Sequence, residues 1–235
     1  MEINELHGYT TEMDLTKMRD SILPIANDRK VKMVVNSYGE DVQYVSYEIR
    51  SMDGERLVAD AVLTDYDRVG NLITSSFEIQ NLLEEEQEYV MVITVSGGDR
   101  NIYYYTRIMQ TSQCYVNECL EFALKFHEYT FRDDAGDFIP TYMDPATGDA
   151  TTLNYVDLTC TLNQITWADF DGSVFGNVAV SFKEINPFYN VVVLRYMMSY
   201  VNELGQTEYY NVEEYYRLRE TEARMYVLNF ERTMN

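Results

Sequence analysis

Short stretches of alternating apolar and polar residues, separated by turn residues, restrict the fold of this chain more than any other feature. These stretches are rich in Val, Ile, Tyr and Thr, the residues that pack best on a pleated surface. Because successive side chains of a strand point to opposite faces, each stretch predicts a β-strand. The predicted strands span residues 30–36, 42–50, 56–64, 72–79, 88–95 and 101–109 in the first half, and 156–162, 178–185, 191–202, 207–219 and 224–230 in the second.

Two segments predict helices instead. Residues 14–22 read as a short helix that is capped by Asp14 and ends before Pro24. Residues 115–129 carry apolar side chains at helical spacing, and the strand pattern lapses from there to about residue 150. The sequence therefore predicts a mainly β protein of two tandem modules. The first, residues 1–112, is an antiparallel β-sandwich with a short N-terminal helix, and the second, residues 113–235, is an antiparallel β-rich α+β module with one helix.

A tyrosine near the end of the first module suggests its family. Leu83 lies six residues before Tyr89, and Tyr89 opens an alternating run that continues to Val95. This arrangement resembles the tyrosine corner of immunoglobulin-like and fibronectin type III modules, in which such a tyrosine bonds back to the preceding loop. The resemblance covers about residues 28–112 and implies an immunoglobulin-like sandwich. It implies no functional residue, because such modules bind through variable loops and edges.

The charge of the chain excludes two classes of partner. Lys and Arg number 18 against 39 Asp and Glu, which gives a net charge of −21. Nucleic acids and anionic lipid surfaces both require clustered cations, so neither is expected as a partner. No apolar stretch approaches the roughly 20 residues that span a bilayer, so membrane insertion is not expected.

The sequence also predicts a cellular context. Glu2 and Glu5 stand where a signal peptide would carry basic and then apolar residues, so no signal peptide is expected in this chain. Because strand-like residues run almost to the last position, we expect the chain to be part of a larger protein. We place that protein outside the cytoplasm or in the cell envelope of a bacterium.

Catalytic motifs are missing from the sequence. His7 and His127 are the only imidazoles, and neither accompanies a nucleophile elbow or a Cys/His arrangement. No phosphate-binding loop or dinucleotide fingerprint occurs, so no cofactor is expected. Paired carboxylates of a glycoside hydrolase stay open as an alternative, because nothing among the many acids selects a pair. No metal is expected, and Asp133, Asp134 and Asp137 form the fallback calcium site in an acidic loop.

Tyrosine is unusually frequent, with 21 residues, several of them adjacent on predicted strands. Since neighbouring strand residues face opposite ways, some of these rings must point away from the core. Tyrosine is enriched at protein interfaces, and nearby arginines can stack on rings or pair with carboxylates. We therefore predict a non-catalytic binding or sensing module that engages a protein or cell-envelope ligand, with a carbohydrate-binding module as the second alternative. The predicted ligand-binding residues are Tyr103, Tyr105, Arg107, Tyr209, Tyr215 and Arg217.

The cysteines and acids generate a first testable prediction. Cys114, Cys119 and Cys160 cannot all pair within the chain and show no metal-ligand spacing. The thermal unfolding midpoint is therefore expected to be the same with and without a chelator, and with and without a reductant. Differential scanning calorimetry measures this directly. A large fall with chelator would contradict the prediction and make Asp133, Asp134 and Asp137 calcium ligands.

Overall fold

The computed structural model describes residues 2–98, 100–112, 114–145 and 152–235. The chain is mainly β, with antiparallel-rich sheets and little helix, which confirms the predicted fold class. It divides into two compact units, Asn4–Gln113 on one side and Met1–Ile3 with Cys114–Asn235 on the other. We refer to them as the N-terminal and the C-terminal unit.

The N-terminal unit contains two sheets. Its strands are β1 (Ile22–Ile25), β2 (Lys30–Asn36), β3 (Val42–Ser51), β4 (Leu57–Leu63), β5 (Asp67–Val69), β6 (Leu72–Glu78), β7 (Glu88–Gly97) and β8 (Arg100–Gln110). One sheet has the order β1-β8-β7-β3-β4 and the other has the order β2-β6-β5. All pairs are antiparallel except β1 with β8, which is parallel.

A single apolar core joins the two sheets into a β-sandwich. Val31 and Ile73 from the three-stranded sheet and Ile49 and Met91 from the five-stranded sheet belong to one buried cluster. Alternation along each strand places these side chains inward, as the period-two pattern predicts. Burying a side chain of this size stabilises the fold by about 1.5–3 kcal/mol.

The beginning of the chain differs from its prediction. Asp14 does cap a helix, because its carboxylate accepts a hydrogen bond from the Thr16 N–H at 3.1 Å, but that helix is one 3-10 turn, Leu15–Lys17. The predicted helix over 14–22 is wrong beyond this turn. Ile22–Ile25 forms β1 instead, with Pro24 opposite Met109. Proline is accepted there because β1 is an edge strand, where a missing N–H costs no ladder bond.

Tyr89 ties the start of β7 to the loop before it. Its ring is buried, and its hydroxyl accepts a hydrogen bond from the Glu84 N–H at 3.1 Å. Leu83, next to that donor, is buried in the same core cluster. One part-buried hydrogen bond and the burial of Leu83 thus hold the loop.

In its described residues, the C-terminal unit combines one long helix with a single sheet. Its elements are α1 (Val116–Tyr129), β9 (Tyr155–Asp157), α2 (Leu162–Ile165), β10 (Ser173–Asn186), β11 (Tyr189–Val201), β12 (Thr207–Glu220) and β13 (Met225–Met234). The sheet is antiparallel and has the order β10-β11-β12-β13-β9. The strand predicted over 156–162 is wrong after Asp157, because Thr161 and Gln164 form a reciprocal capping box that starts α2.

Helix α1 covers one face of this sheet, which we call the inner face. The Phe126 ring lies 5.7 Å from the Tyr216 ring and 5.0 Å from the Phe230 ring, between centroids. Residues that alternate with these, such as Met197 and Tyr209, lie on the opposite, outer face. Among the described residues, no helix combines the length and apolar character needed to cross a bilayer.

The hydrogen bond of Tyr89 generates the second prediction. Tyr89→Phe removes the hydroxyl and with it the part-buried hydrogen bond from the Glu84 N–H, so the free energy of unfolding should fall by about 1 kcal/mol. Urea denaturation measures the loss. Tyr44→Phe is the matched control, because Tyr44 lies on β3 of the same unit and is exposed. Equal stability of the Tyr89→Phe variant and the parent would show that the hydrogen bond does not hold the loop.

Candidate functional site

Tyr103 and Tyr105 share one face of β8, but Tyr105 is an interior residue. Only 6% of its surface is exposed, and its hydroxyl accepts a hydrogen bond from the Met13 N–H at 2.8 Å. The Tyr9 ring packs edge-on against it, with centroids 5.8 Å apart. Tyr103 is half-buried, and its backbone exchanges two hydrogen bonds with Tyr9. These tyrosines hold the N-terminal segment against β8.

Arg107 is also buried. Its guanidinium forms an ion pair with Glu88, at 3.2 Å between nitrogen and oxygen, and donates to the Arg19 carbonyl. The guanidinium therefore has partners within the N-terminal unit. The structure gives Tyr105 and Arg107 packing roles and offers little of either to a ligand.

The three predicted residues of the C-terminal unit lie together on the outer face of β12. Tyr209 is 56% exposed, whereas Tyr215 and Arg217 are half-buried. Arg217 stacks over the Tyr189 ring, with 3.8 Å from its guanidinium carbon to the centroid. Tyr209 and Tyr215 are six residues apart, which separates them by about 20 Å along the strand. Tyr209 therefore belongs to a different part of the face from the other two.

Tyr209 lies in a group of exposed apolar side chains that we call the outer-face patch, formed by Phe175, Met197 and Tyr209. Phe175 pairs with Met197 across β10 and β11, and Tyr209 follows on β12 opposite Ser199. The Phe175 and Tyr209 rings meet edge to face at 5.2 Å. Phe175 is 48% exposed and Met197 is 39% exposed. The patch presents three large side chains from three adjacent strands.

Sequence reasoning missed Phe175 and Met197 for different reasons. Phe175 lies beyond the predicted start of β10, because the ladder shifts register between Phe175 and Ala179. Gly176 lies in this irregularity with φ of 82°, a conformation that favours glycine. Met197 was recognised as a strand residue, but its outward direction follows only from its pairing with Phe175.

A charged pair borders the patch. Arg195 and Glu213 lie opposite each other on β11 and β12, with 2.6 Å between nitrogen and oxygen, and both are partly exposed. Their strand positions are next to Met197 on the same face. An apolar centre with a polar border is the usual composition of a protein interface.

The inner face holds a different group, the inner polar cluster, formed by His127, Tyr196, Glu214, Tyr216 and Arg232. Glu214 is fully buried, and both tyrosine hydroxyls donate to its carboxylate at 2.6 Å. The His127 Nδ1 lies 3.0 Å from the same carboxylate. Because an ionised carboxylate only accepts, this nitrogen carries the proton. The cluster contains the residue types of an active site.

Arg232 faces Glu214 across the ladder between β12 and β13 and is also fully buried. Its terminal nitrogens donate to the carbonyls of Gln164 and Ile165, both at 2.8 Å. Its guanidinium carbon lies 3.5 Å from the centroid of the Trp167 ring. Arg232 thus connects the sheet to α2 and to the turn after it.

The electrostatics of the inner polar cluster favour the ionised form of the Glu214 carboxylate. Burial would raise the pKa of Glu214, but the hydrogen bond and charge of His127 and the charge of Arg232 hold that pKa below its usual value. Burial and the Glu214 carboxylate raise the pKa values of Tyr196 and Tyr216, so both hydroxyls remain donors. Since three protein donors occupy a carboxylate without solvent exposure, Glu214 is a structural acid.

A cleft of about 330 Å³ opens beside this cluster, between the end of α1 and the segment that contains α2. Its lining consists of Thr130, Phe131, Arg132, Asp133, Ala135, Gly136, Leu162, Thr166, Trp167 and Phe170. Trp167 and Ala168 have φ values of 72° and 51°, the left-handed conformation that non-glycine residues rarely adopt. Trp167 is held there by its indole N–H, which donates to the Thr130 hydroxyl, and by Arg232.

The fallback calcium site at Asp133, Asp134 and Asp137 gains no support. Arg132 donates to both oxygens of Asp134 at 2.7 Å, which lowers the pKa of this carboxyl. In the part of the chain that the structure describes, no three His, Cys, Asp or Glu side chains are grouped as metal ligands would be. Both oxygens of Asp134 therefore bind the Arg132 guanidinium and not a metal ion.

Comparisons of the chain with protein-family models, with curated proteins and with solved structures give no significant match.

The inner polar cluster generates the third prediction. Glu214→Gln removes the negative charge opposite Arg232 and places an amide among three donors, so unfolding should become easier by about 3 kcal/mol at neutral pH. Because the pKa of Glu214 is lowered in the folded state, its contribution is present above the unfolded pKa and is lost as the pH falls through the folded one. The stability gap between parent and variant should therefore narrow below about pH 4.

Glu213→Gln is the control, because Glu213 is the adjacent residue on β12 and forms only an exposed ion pair. Exposed pairs contribute little, so this variant should stay close to the parent. Chemical denaturation from pH 3 to pH 8 measures all three proteins. A similar loss in both variants would mean that the charge of Glu214 has no special role.

Proposed function

We propose that this chain is a non-catalytic binding or sensing module that engages a protein or cell-envelope ligand through the outer-face patch. The observation that carries the proposal is the contact of Phe175, Met197 and Tyr209, which are all exposed and lie on three neighbouring strands. Contiguous apolar surface of this kind on a folded protein marks a site of interaction more often than single exposed residues do.

The position of the patch supports binding. Main-chain hydrogen bonds of β10, β11 and β12 fix its three side chains, so little conformational entropy is lost when a partner docks. Tyrosine and methionine are enriched in interface centres, and the Arg195–Glu213 pair borders the patch with polar groups. Half-buried Arg217, stacked on Tyr189, extends the same face with a cation.

We further propose that the N-terminal unit is an immunoglobulin-like scaffold. Its strand order, β1-β8-β7-β3-β4 over β2-β6-β5, and the bond from the Glu84 N–H to the Tyr89 hydroxyl support this. Scaffolds of this kind commonly carry binding modules in extracytoplasmic proteins, which agrees with the bacterial cell-envelope location proposed for the chain. The family likeness itself identifies no ligand.

The two alternatives have weaker geometric support. A carbohydrate-binding module needs exposed coplanar rings, but the Phe175 and Tyr209 rings are inclined by 65° and the single tryptophan, Trp167, is buried. A glycoside hydrolase needs two accessible carboxylates, and the acid in the most catalytic environment, Glu214, is enclosed by its own donors. The exposed patch fits a binding surface better than either.

The fourth prediction tests the patch. Tyr209→Ala and Met197→Ala should remain folded, because both side chains are exposed, and should lose at least about tenfold in affinity for the ligand, the usual effect of removing a central contact. Binding partners are captured from cell-envelope extract with the parent, identified by mass spectrometry and titrated by biolayer interferometry.

Leu204→Ala is the matched control. Leu204 is also apolar and exposed in the C-terminal unit, but it lies in the turn between β11 and β12. Circular dichroism checks the fold of every variant. The proposal fails if the folded patch variants bind the identified ligand as the parent does, or if Leu204→Ala weakens binding equally.

A further inference from the structure

We propose that the cleft beside Trp167 binds a small organic cation, an ammonium or guanidinium group carried on an apolar body. The cleft lies on a different part of the C-terminal unit from the outer-face patch, since none of its lining residues belongs to that patch. This inference therefore stands independently of the proposed binding function.

The backbone around the cleft carries partial negative charge. α1 is 14 residues long and ends at Tyr129, and the first cleft residues, Thr130 to Asp133, follow it directly. The last carbonyls of α1 accept hydrogen bonds from the N–H groups of Thr130, Phe131 and Arg132, and the helix end still carries partial negative charge that attracts cations. On the other side, Thr166 and Trp167 follow the end of α2. Because α2 is a single turn of four residues, the end of the longer α1 is the main source of helix-end charge at the cleft.

The chain itself already places cations in this region. Arg232 binds the carbonyls at the end of α2 and stacks on Trp167. Arg132 lies over the Tyr129 ring at 4.4 Å, and Lys125 lies over the Phe138 ring at 4.6 Å. All three cations lie over aromatic rings, and a ring face at the cleft would attract a cationic ligand in the same way.

One charged group at the cleft remains available. The Arg132 guanidinium is occupied by Asp134 and Glu128, whereas Asp133 is exposed and forms no hydrogen bond or ion pair within the described residues. The free charge at the cleft is therefore a carboxylate. An anionic ligand would be repelled here, and a cation would be attracted.

Aromatic side chains provide the apolar part of the site. Phe131 is partly exposed and stacks nearly parallel to Trp167, at 5.3 Å between centroids and 24° between planes. Phe170 contributes a second, half-buried ring beside Trp167. Because Trp167 is buried beneath Arg232 and Phe131, the exposed Phe131 ring is the one that can contact the ammonium group and the apolar body of a ligand. A volume near 330 Å³ suits a small molecule.

The fifth prediction uses three ligands of nearly equal size and shape. At neutral pH, 2-phenylethylammonium should bind the whole chain in isothermal titration calorimetry, whereas neutral 2-phenylethanol and anionic 3-phenylpropionate should bind at least about tenfold more weakly. In proton–nitrogen correlation spectra, the cation should shift the amide signals of residues 130–136 and 162–170.

Matched charge variants test the contact. Asp133→Asn should weaken binding of 2-phenylethylammonium by about fivefold or more, because it removes the free carboxylate without changing its size. Glu222→Gln removes the same charge from an exposed turn elsewhere in the unit and should leave the affinity unchanged. Tyr209→Ala, which disables the outer-face patch, should also bind the cation normally.

Several outcomes would overturn the inference. Equal binding of the alcohol and the cation would show that only apolar contact acts at the cleft. If Asp133→Asn and Glu222→Gln lost equal affinity for the cation, the net charge of the protein and not a contact at the cleft would explain the binding. Absence of any binding heat or signal shift up to about 10 mM cation would remove the site altogether.

Discussion

The C-terminal unit depends on how it compensates one buried negative charge. An uncompensated carboxylate in a protein interior is so unfavourable that it would take up a proton or prevent folding. Here α1 supplies His127, β11 supplies Tyr196, β12 supplies Tyr216, and β13 supplies the opposing charge of Arg232. Any rearrangement of one element relative to the others would leave a charge or a donor unpaired. The cluster therefore specifies how helix and sheet meet.

The two faces of the sheet differ in what covers them. The inner face is closed by α1 and by aromatic contacts around Phe126, so it needs no further partner. The outer face carries exposed side chains. The backbone hydrogen bonds between β10, β11 and β12 set their positions. The proposed binding role rests on this rigid sheet and on the exposed apolar side chains of the outer-face patch.

The fold class could be predicted from the sequence because alternation and turn residues are local signals. Strand β2 even begins and ends at the predicted residues, Lys30 and Asn36. The candidate site could be predicted only in part: Tyr209, Tyr215 and Arg217 do lie on one outer face, but exposure depends on what packs above each strand. Tyr105 has the same strand alternation as Tyr209, yet Met13 and Tyr9 cover it. The contacts of Glu214 and Arg232 could not be predicted from the sequence either, because they join residues far apart in the chain.

The environment of Trp167 gives the protein a built-in optical reporter. Trp167 is the only tryptophan of the chain, and it is buried against a guanidinium and a phenylalanine ring in the C-terminal unit. Fluorescence excited at the red edge of the absorption band therefore comes from this unit alone, while the N-terminal unit contributes only tyrosine emission. Opening of the C-terminal unit would release the indole into water and shift its emission to longer wavelength. The folding of the C-terminal unit can thus be followed by itself in the intact chain, without any label.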